Sequence, residues 1–165
     1  MTVRSMAIGL AGLVACTGGD PCEETAGISP SLVLGEGEDE FERELMEGDT
    51  MLAERGPQGG IHIWPAVQTT GFAPGTRGGP LQADRNPPIF TAALYDGDAL
   101  LESVSTQLAM QGDASLAELS LFRLPLSYAP EEVYYQAVPF RLEVSGIDVC
   151  GTTVSAERNI NIQFQ

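Results

Sequence analysis

From Thr153 to Gln165 apolar and polar residues alternate with a period of two. Val154, Ala156, Ile160, Ile162 and Phe164 fall on one face, and Ser155, Glu157, Asn159, Asn161 and Gln163 on the other. Period two over this length predicts a strand with one buried side. Arg158 alone interrupts the apolar face, which a bulge or a buried stem with its guanidinium reaching out to water would explain. Upstream, Val138, Phe140, Leu142 and Val144 alternate with Pro139, Arg141, Glu143 and Ser145. The two runs, joined through Gly146 to Gly151, predict an antiparallel hairpin with Cys150 in its connection.

A second hairpin is predicted from the β-branched and aromatic run Ile89 to Tyr95, the turn signal Asp96-Gly97, and resumed alternation at Leu100, Glu102, Val104, Thr106 and Leu108. Ala117 to Leu126 predicts one strand, with Pro125 placing its end at a sheet margin, and Ile61 to Phe72 predicts another. Leu32, Leu34 and the stretch Phe41 to Leu52 supply N-terminal strands, although Phe41, Leu45 and the surrounding glutamates equally fit a short helix. Gly71 to Pro88 carries four Gly and four Pro, the composition of a long surface loop. Seven or eight short strands punctuated by Gly, Pro and Asp, without long helical periodicity, predict an all-β protein.

An immunoglobulin-like or fibronectin-like antiparallel β-sandwich is the expected arrangement, and a small barrel or jelly roll would give the same alternation. The piece Ala129-Pro-Glu-Glu-Val-Tyr-Tyr135 resembles the turn entering the penultimate strand of such sandwiches, where a Tyr hydroxyl bonds the preceding corner. Tyr134 or Tyr135 would take that part, but the core Cys usual two residues beyond is absent.

The N-terminus adds location. Residues 6 to 16 form a short apolar run behind Arg4, too brief for a membrane span of about 20 residues but suited to a secretory signal. The run ends in Leu13-Val14-Ala15-Cys16, which resembles the lipobox of bacterial lipoproteins. That resemblance implies diacylglyceryl modification of Cys16, removal of residues 1–15 as a signal helix, a lipidated tether over 16–30, and a β-sandwich domain over 31–165. It also implies lipid anchoring at the outer membrane, because Thr17 stands where an Asp would favour inner-membrane retention. Assigning Cys16 to lipid leaves Cys22 and Cys150 as an even pair in a compartment where disulfides persist, with two separate free thiols as the alternative. A bridge would stabilise by roughly 4 to 5 kcal/mol in the chain-entropy model.

Charge narrows the partners. The chain has 23 acids against 8 Arg and no Lys, for a formal net charge of -15. A polyanion is repelled by phosphate backbones, so no nucleic acid is expected. The partners expected are the membrane, through the lipid anchor, and another protein of the envelope.

The most distinctive local sequence is Gly56-Pro-Gln-Gly-Gly-Ile-His-Ile-Trp64, which resembles a segment of uncharacterised predicted lipoproteins of GC-rich Gram-negative bacteria and brings no activity with it. Physically it is a Gly-rich turn feeding a strand. Alternation puts Ile61 and Ile63 on one face and His62 and Trp64 on the other. Gln58, His62 and Trp64 are thus a candidate ligand-contact patch, with Trp64 stacking on a sugar or aromatic ring; the plainer reading makes Trp64 a plug between sheets.

Catalytic chemistry lacks its motifs. There is no Gly-x-Ser-x-Gly elbow, no phosphate-binding loop with Lys, and no His-Glu-x-x-His, and the single His62 is the sole imidazole base available. One His also rules out a blue-copper ligand set and leaves zinc only an unpromising combination with both remaining cysteines. Acidic turns at Glu36–Glu40, Gly48-Asp49 and Asp96–Asp98 supply oxygen ligands but not the twelve-residue calcium loop. No catalytic residue, metal or cofactor is expected. The function expected is a non-enzymatic envelope lipoprotein presenting its sandwich to a protein partner, and the alternative is a small-ligand or glycan receptor.

Overall fold

A computed structural model describes residues 20–56, 59–120, 122–126 and 138–164. A one-turn helix α1 (Pro21–Glu24) precedes strands β1 (Ser31–Glu36), β2 (Arg43–Glu44), β3 (Thr50–Arg55), β4 (Ile61–Ile63), β5 (Pro65–Thr70) and β6 (Ile89–Asp96). They are followed by β7 (Ala99–Gln107), β8 (Gln111–Asp113), β9 (Leu116–Leu119), β10 (Leu124–Pro125), β11 (Phe140–Ile147) and β12 (Thr153–Phe164). The strands form two sheets, ordered β2-β1-β5-β9-β8 and β10-β4-β3-β12-β11-β6-β7. Pairing is antiparallel except between β3 and β12. The protein is an all-β sandwich.

The inner faces enclose one core. Phe72, Phe90, Phe122, Phe140, Leu34, Leu45, Met51 and Ile63 are among its fully buried side chains, and the Phe72 and Phe90 rings lie 5.4 Å apart, tilted. Gly146 pairs directly with Phe90, and a Cβ at Gly146 would lie 2.5 Å from the Phe90 ring. A glycine inside a strand therefore marks the place where an aromatic ring covers the backbone.

Both predicted hairpins are present. β11 and β12 pair in continuous register from Phe140↔Ile160 to Ile147↔Thr153, with Cys150 in the turn. No bulge occurs at Arg158. Its stem lies in the apolar row while its Nε donates to the Leu45 carbonyl at 3.0 Å and its NH1 to the Glu157 carbonyl at 2.8 Å, and its NH2 lies 3.7 Å from the Glu44 carboxylate. In the β6–β7 hairpin the turn residues are Gly97-Asp98, one position later than Asp96-Gly97. Gly97 at φ +57 takes the first central position, as a II′ turn requires. A register shift at Leu94/Tyr95 leaves Leu101 between Leu100 and Glu102. This bulge turns Leu101 toward the core and leaves Leu100 exposed, correcting the simple alternation expected there.

Three other expectations need correction. Ile61 to Phe72 is two strands in different sheets, with the chain crossing at Trp64. Ala117 to Leu126 likewise divides, β9 lying in the first sheet and β10 at the margin of the second, where Pro125 can be tolerated. Phe41 to Leu52 supplies strands as expected, β2 and the start of β3, and not the alternative helix, and the Phe41 ring covers Gly35, whose added Cβ would meet it at 2.3 Å. The Gly71–Pro88 connection is a loop with one bridge, Thr76↔Arg85, but its first four residues are buried rather than superficial. The immunoglobulin-type corner at Tyr134 or Tyr135 lies outside the described residues, as do the signal segment and Cys16.

Register gives the sandwich two distinct ends. Ile147, Ile89 and Gln107 lie side by side at one end, together with the start of β12 and the Cys22–Cys150 disulfide, whose Cα atoms are 5.6 Å apart. β3 runs parallel to β12 toward the opposite end, which carries the β3–β4 turn, Trp64, the Glu36–Glu42 loop and the β6–β7 turn.

Candidate functional site

The tryptophan end is built by a short hairpin. Glu54 pairs with His62 and Arg55 with Ile61 across β3 and β4, and Gly56 N–H donates to the Gly60 carbonyl at 2.8 Å to close the turn. Glycines here let the chain reverse within five residues, Gly59 taking φ +83. As alternation predicts, His62 and Trp64 lie together: their rings meet edge to face at 4.8 Å with an interplanar angle of 89°. Only Trp64 is accessible, because His62 is 8% exposed. Gln58 lies outside the described residues, so the three-residue patch reduces to Trp64 backed by His62.

Two clefts flank Trp64. One, of about 370 Å³, is bounded by Val104, Ser105 and Thr106 of β7 and by Phe122 and Arg123. The other, of about 220 Å³, is bounded by Glu36, Glu38, Glu42, Leu52 and Glu54. Trp64 Nε1 donates to Glu54 Oε2 at 3.3 Å, and the Trp64 carbonyl accepts from Gly37 N–H at 3.1 Å. The indole is therefore a half-buried wall between a mixed cleft that includes Arg123 and an acidic one.

Electrostatics of the acidic cleft are set by burial and one arginine. Arg43 Nε donates to Glu36 at 2.7 Å, while its NH1 donates to Asp49 at 2.6 Å and its NH2 to the Thr50 carbonyl at 3.1 Å. Burial nevertheless pushes the Glu36 carboxyl above its ordinary value, outweighing the pull of Arg43. Asp49 is held below its ordinary value by the Met46 backbone N–H and then by Arg43. This arrangement presents negative potential beside an aromatic face, which suits positively charged groups.

Glu54 and the acids of the Glu36–Glu42 loop are companions of Trp64 that the sequence pattern alone does not group with it. A signal for Glu54 existed: a hairpin closed over Gly56 to Gly60 places Glu54 opposite His62. None existed for the loop, which reaches the site only through the packing of two sheets.

At the cysteine end, Cys22 and Cys150 are bridged. Asp148, 6% exposed, organises the surroundings: one oxygen accepts Ala73 N–H at 2.8 Å, and the other accepts Cys150 N–H and Thr152 N–H, each at 2.9 Å. Among the described residues no group of three or more His, Cys, Asp or Glu is placed to hold a metal. No helix among them is long and apolar enough to cross a membrane. No family model matches the chain, and no curated protein matches it.

Proposed function

We propose that this protein is a lipid-anchored envelope lipoprotein that performs no chemistry and presents the tryptophan end of its sandwich to a protein partner. The observation that carries this reading is the polarity of the domain. The described chain enters beside Cys150, whereas the β3–β4 turn, Trp64, its acidic cleft and the Glu36–Glu42 acids lie at the opposite end. Because Cys22 is paired with Cys150, Cys16 is the odd cysteine of the three, as lipid attachment requires. A surface held away from its anchor and carrying concentrated charge is suited to steering a basic protein surface into contact. Outer-membrane placement belongs to the same proposal and rests on Thr17.

The test is photocrosslinking in intact cells from a reactive residue at Leu52, beside the acidic cleft. A discrete protein adduct, lost when Glu38→Arg and Glu42→Arg reverse the local charge, is the expected result. Absence of any adduct from Leu52 would refute the partner. Retention of Cys16→Ser in the membrane, with no fatty acid incorporated by the parent, would refute the anchor.

Trp64 supports a second reading, a small-ligand or glycan receptor, because an accessible indole between two clefts is a stacking platform. The chain has one Trp, so its emission reports directly. A saturable change with a candidate glycan would favour this reading, and unchanged emission would remove it.

We also read the sandwich as immunoglobulin-like. The orders β1-β5-β9-β8 and β12-β11-β6-β7 within the two sheets are those of strands ABED and GFCC′ in that arrangement. A crystal structure joining these strands in another order would overturn it.

A further inference from the structure

The cysteine end has a surface of its own. Leu81, Ile89, Leu108, Leu116, Ile147 and Val149 are all exposed large apolar side chains, and all belong to this end. Ile147 pairs with Ile89 and Ile89 with Gln107, so these two isoleucines adjoin, with Leu108 directly following. Val149 lies in the turn beside Cys150. Leu116 opposes Asp113 at the start of β9. Leu81, 99% exposed, projects from a loop held by Asp84, whose two oxygens accept Gly78 N–H at 2.8 Å and Ala109 N–H at 2.7 Å.

Several of the carboxylates at this end are internally engaged. Asp84 and Asp148 accept backbone N–H groups, Asp113 accepts from Ser115, and Arg77 and Arg85 lie in the same loop as Asp84. The exposed acids Asp20, Glu23 and Glu24 stand at this end too, at and beside α1, Glu24 bounding a cleft with Arg85 of the loop. Six of the ten exposed large apolar side chains thus share one end of a strongly acidic domain, and such a grouping calls for a covering surface.

The chain identifies that surface. The disulfide fixes Cys22 to this end, and the six steps from Cys16 to Cys22 reach about 20 Å at full extension. We infer that the cysteine end rests directly on the lipid surface, with Leu81, Ile147 and Val149 entering the headgroup layer; this rests on the lipoprotein reading of Cys16. Contact is apolar, so it requires no anionic lipid, and the acids of the tryptophan end, repelled by any anionic headgroups, point away.

The experiment uses the full lipidated chain in phosphatidylcholine vesicles. With Cys16 acylated and the other cysteines bridged, Leu81→Cys or Leu100→Cys provides one free thiol for an environment-sensitive fluorophore, Leu100 serving as the tryptophan-end control. The probe at position 81 should shift to the blue, lose quenching by aqueous iodide and gain quenching by lipids carrying a shallow spin label. The probe at position 100 should do none of these. Equal iodide access at both positions in vesicle-bound protein overturns the inference while leaving the anchor intact. Protection at 81 without spin-label quenching also overturns it, because a protein then covers this end. Failure of the parent chain to remain with vesicles refutes the anchor itself.

Discussion

Replacing Asp148 by Ala should be among the more damaging single changes in this domain. Its carboxylate is nearly buried and takes three backbone N–H groups, from Ala73, Cys150 and Thr152. These are not equivalent. Ala73 is fully buried, and its N–H would be orphaned, at a cost of about 1 to 3 kcal/mol. The Cys150 and Thr152 groups lie in a turn at the surface where water can replace the lost acceptor, so each adds about 0.5 to 1 kcal/mol. The expected loss is therefore about 2 to 5 kcal/mol, against a usual domain stability of about 5 to 15 kcal/mol. Asp148→Asn keeps one acceptor and should fall between parent and Ala. Urea unfolding measures both, and amide exchange at Ala73 locates the effect, since that proton should become the most accelerated in the loop. A cost for Asp148→Ala below about 1 kcal/mol, with Ala73 exchange unchanged, would refute the assignment of Asp148 as the knot between the β11–β12 turn and the β5–β6 loop.

Other outcomes follow from separate features. Removing the disulfide as Cys22→Ser with Cys150→Ser, sequence separation 128, should cost up to about 5 kcal/mol by urea unfolding, yet leave the far-ultraviolet spectrum unchanged because α1 buries no residue. Gly146→Ala must displace the Phe90 ring and should lose about 1 to 3 kcal/mol by the same assay. Hydrogen bonds hold four carboxyls below their ordinary values: Glu47 by the Asn159 side chain, Asp49 by Met46 N–H, Asp84 by Ala109 N–H and Asp113 by the Ser115 hydroxyl. Their contribution is present above the ordinary values of 3.8 and 4.5 and disappears as pH falls through the lower folded ones. Glu36, raised by burial, has the opposite sign, so the net expectation is a falling Tm from about pH 5 to about pH 3, less steep in Asp84→Asn. Finally, Glu38, Glu40 and Glu42 replaced together by Gln should change stability by no more than about 0.5 kcal/mol per site while abolishing the crosslink from Leu52.

How legible these features were depended on whether one sheet or two used a segment. β12 was readable because its whole length keeps one face on the core, and even the outward engagement of Arg158 was among the expected solutions. The division of Ile61 to Phe72 is not legible in the alternation, because the chain leaves one sheet and joins the other at Trp64 without a glycine to mark the change. Its cue was Pro65, which cannot donate to a ladder and suits the first residue of a new strand. The bulge at Leu101 was hidden for a related reason: both Leu100 and Leu101 are apolar, so composition does not say which one faces inward. His62 and Trp64 were paired correctly from period two alone, since that relation is local. The acidic wall beside Trp64 was not, because it depends on the β1–β2 connection folding over from the other sheet.

That connection also shows why the acids at the tryptophan end are available for recognition. From Glu36 to Glu42 there are five carboxylates, yet the loop is shaped by other groups. Phe41 covers Gly35, Glu42 N–H donates to the Glu36 carbonyl at 3.0 Å, and Ser120 Oγ donates to the Asp39 carbonyl at 2.8 Å. Gly37, at φ +151, packs so closely on the Glu40 carbonyl that no side chain fits. Only Glu36 enters the Arg43 ion pair. Backbone and aromatic contacts thus hold like charges together against their mutual repulsion, a cost the fold bears without using those charges for stability. At the cysteine end Asp84, Asp113 and Asp148 spend acceptor capacity on backbone N–H groups, and apolar Leu81, Ile147 and Val149 are exposed beside the acids at and next to α1. The loop carboxylates beside Trp64 are thus left to solvent, whereas those of the loops around the disulfide serve as local acceptors that fix the backbone.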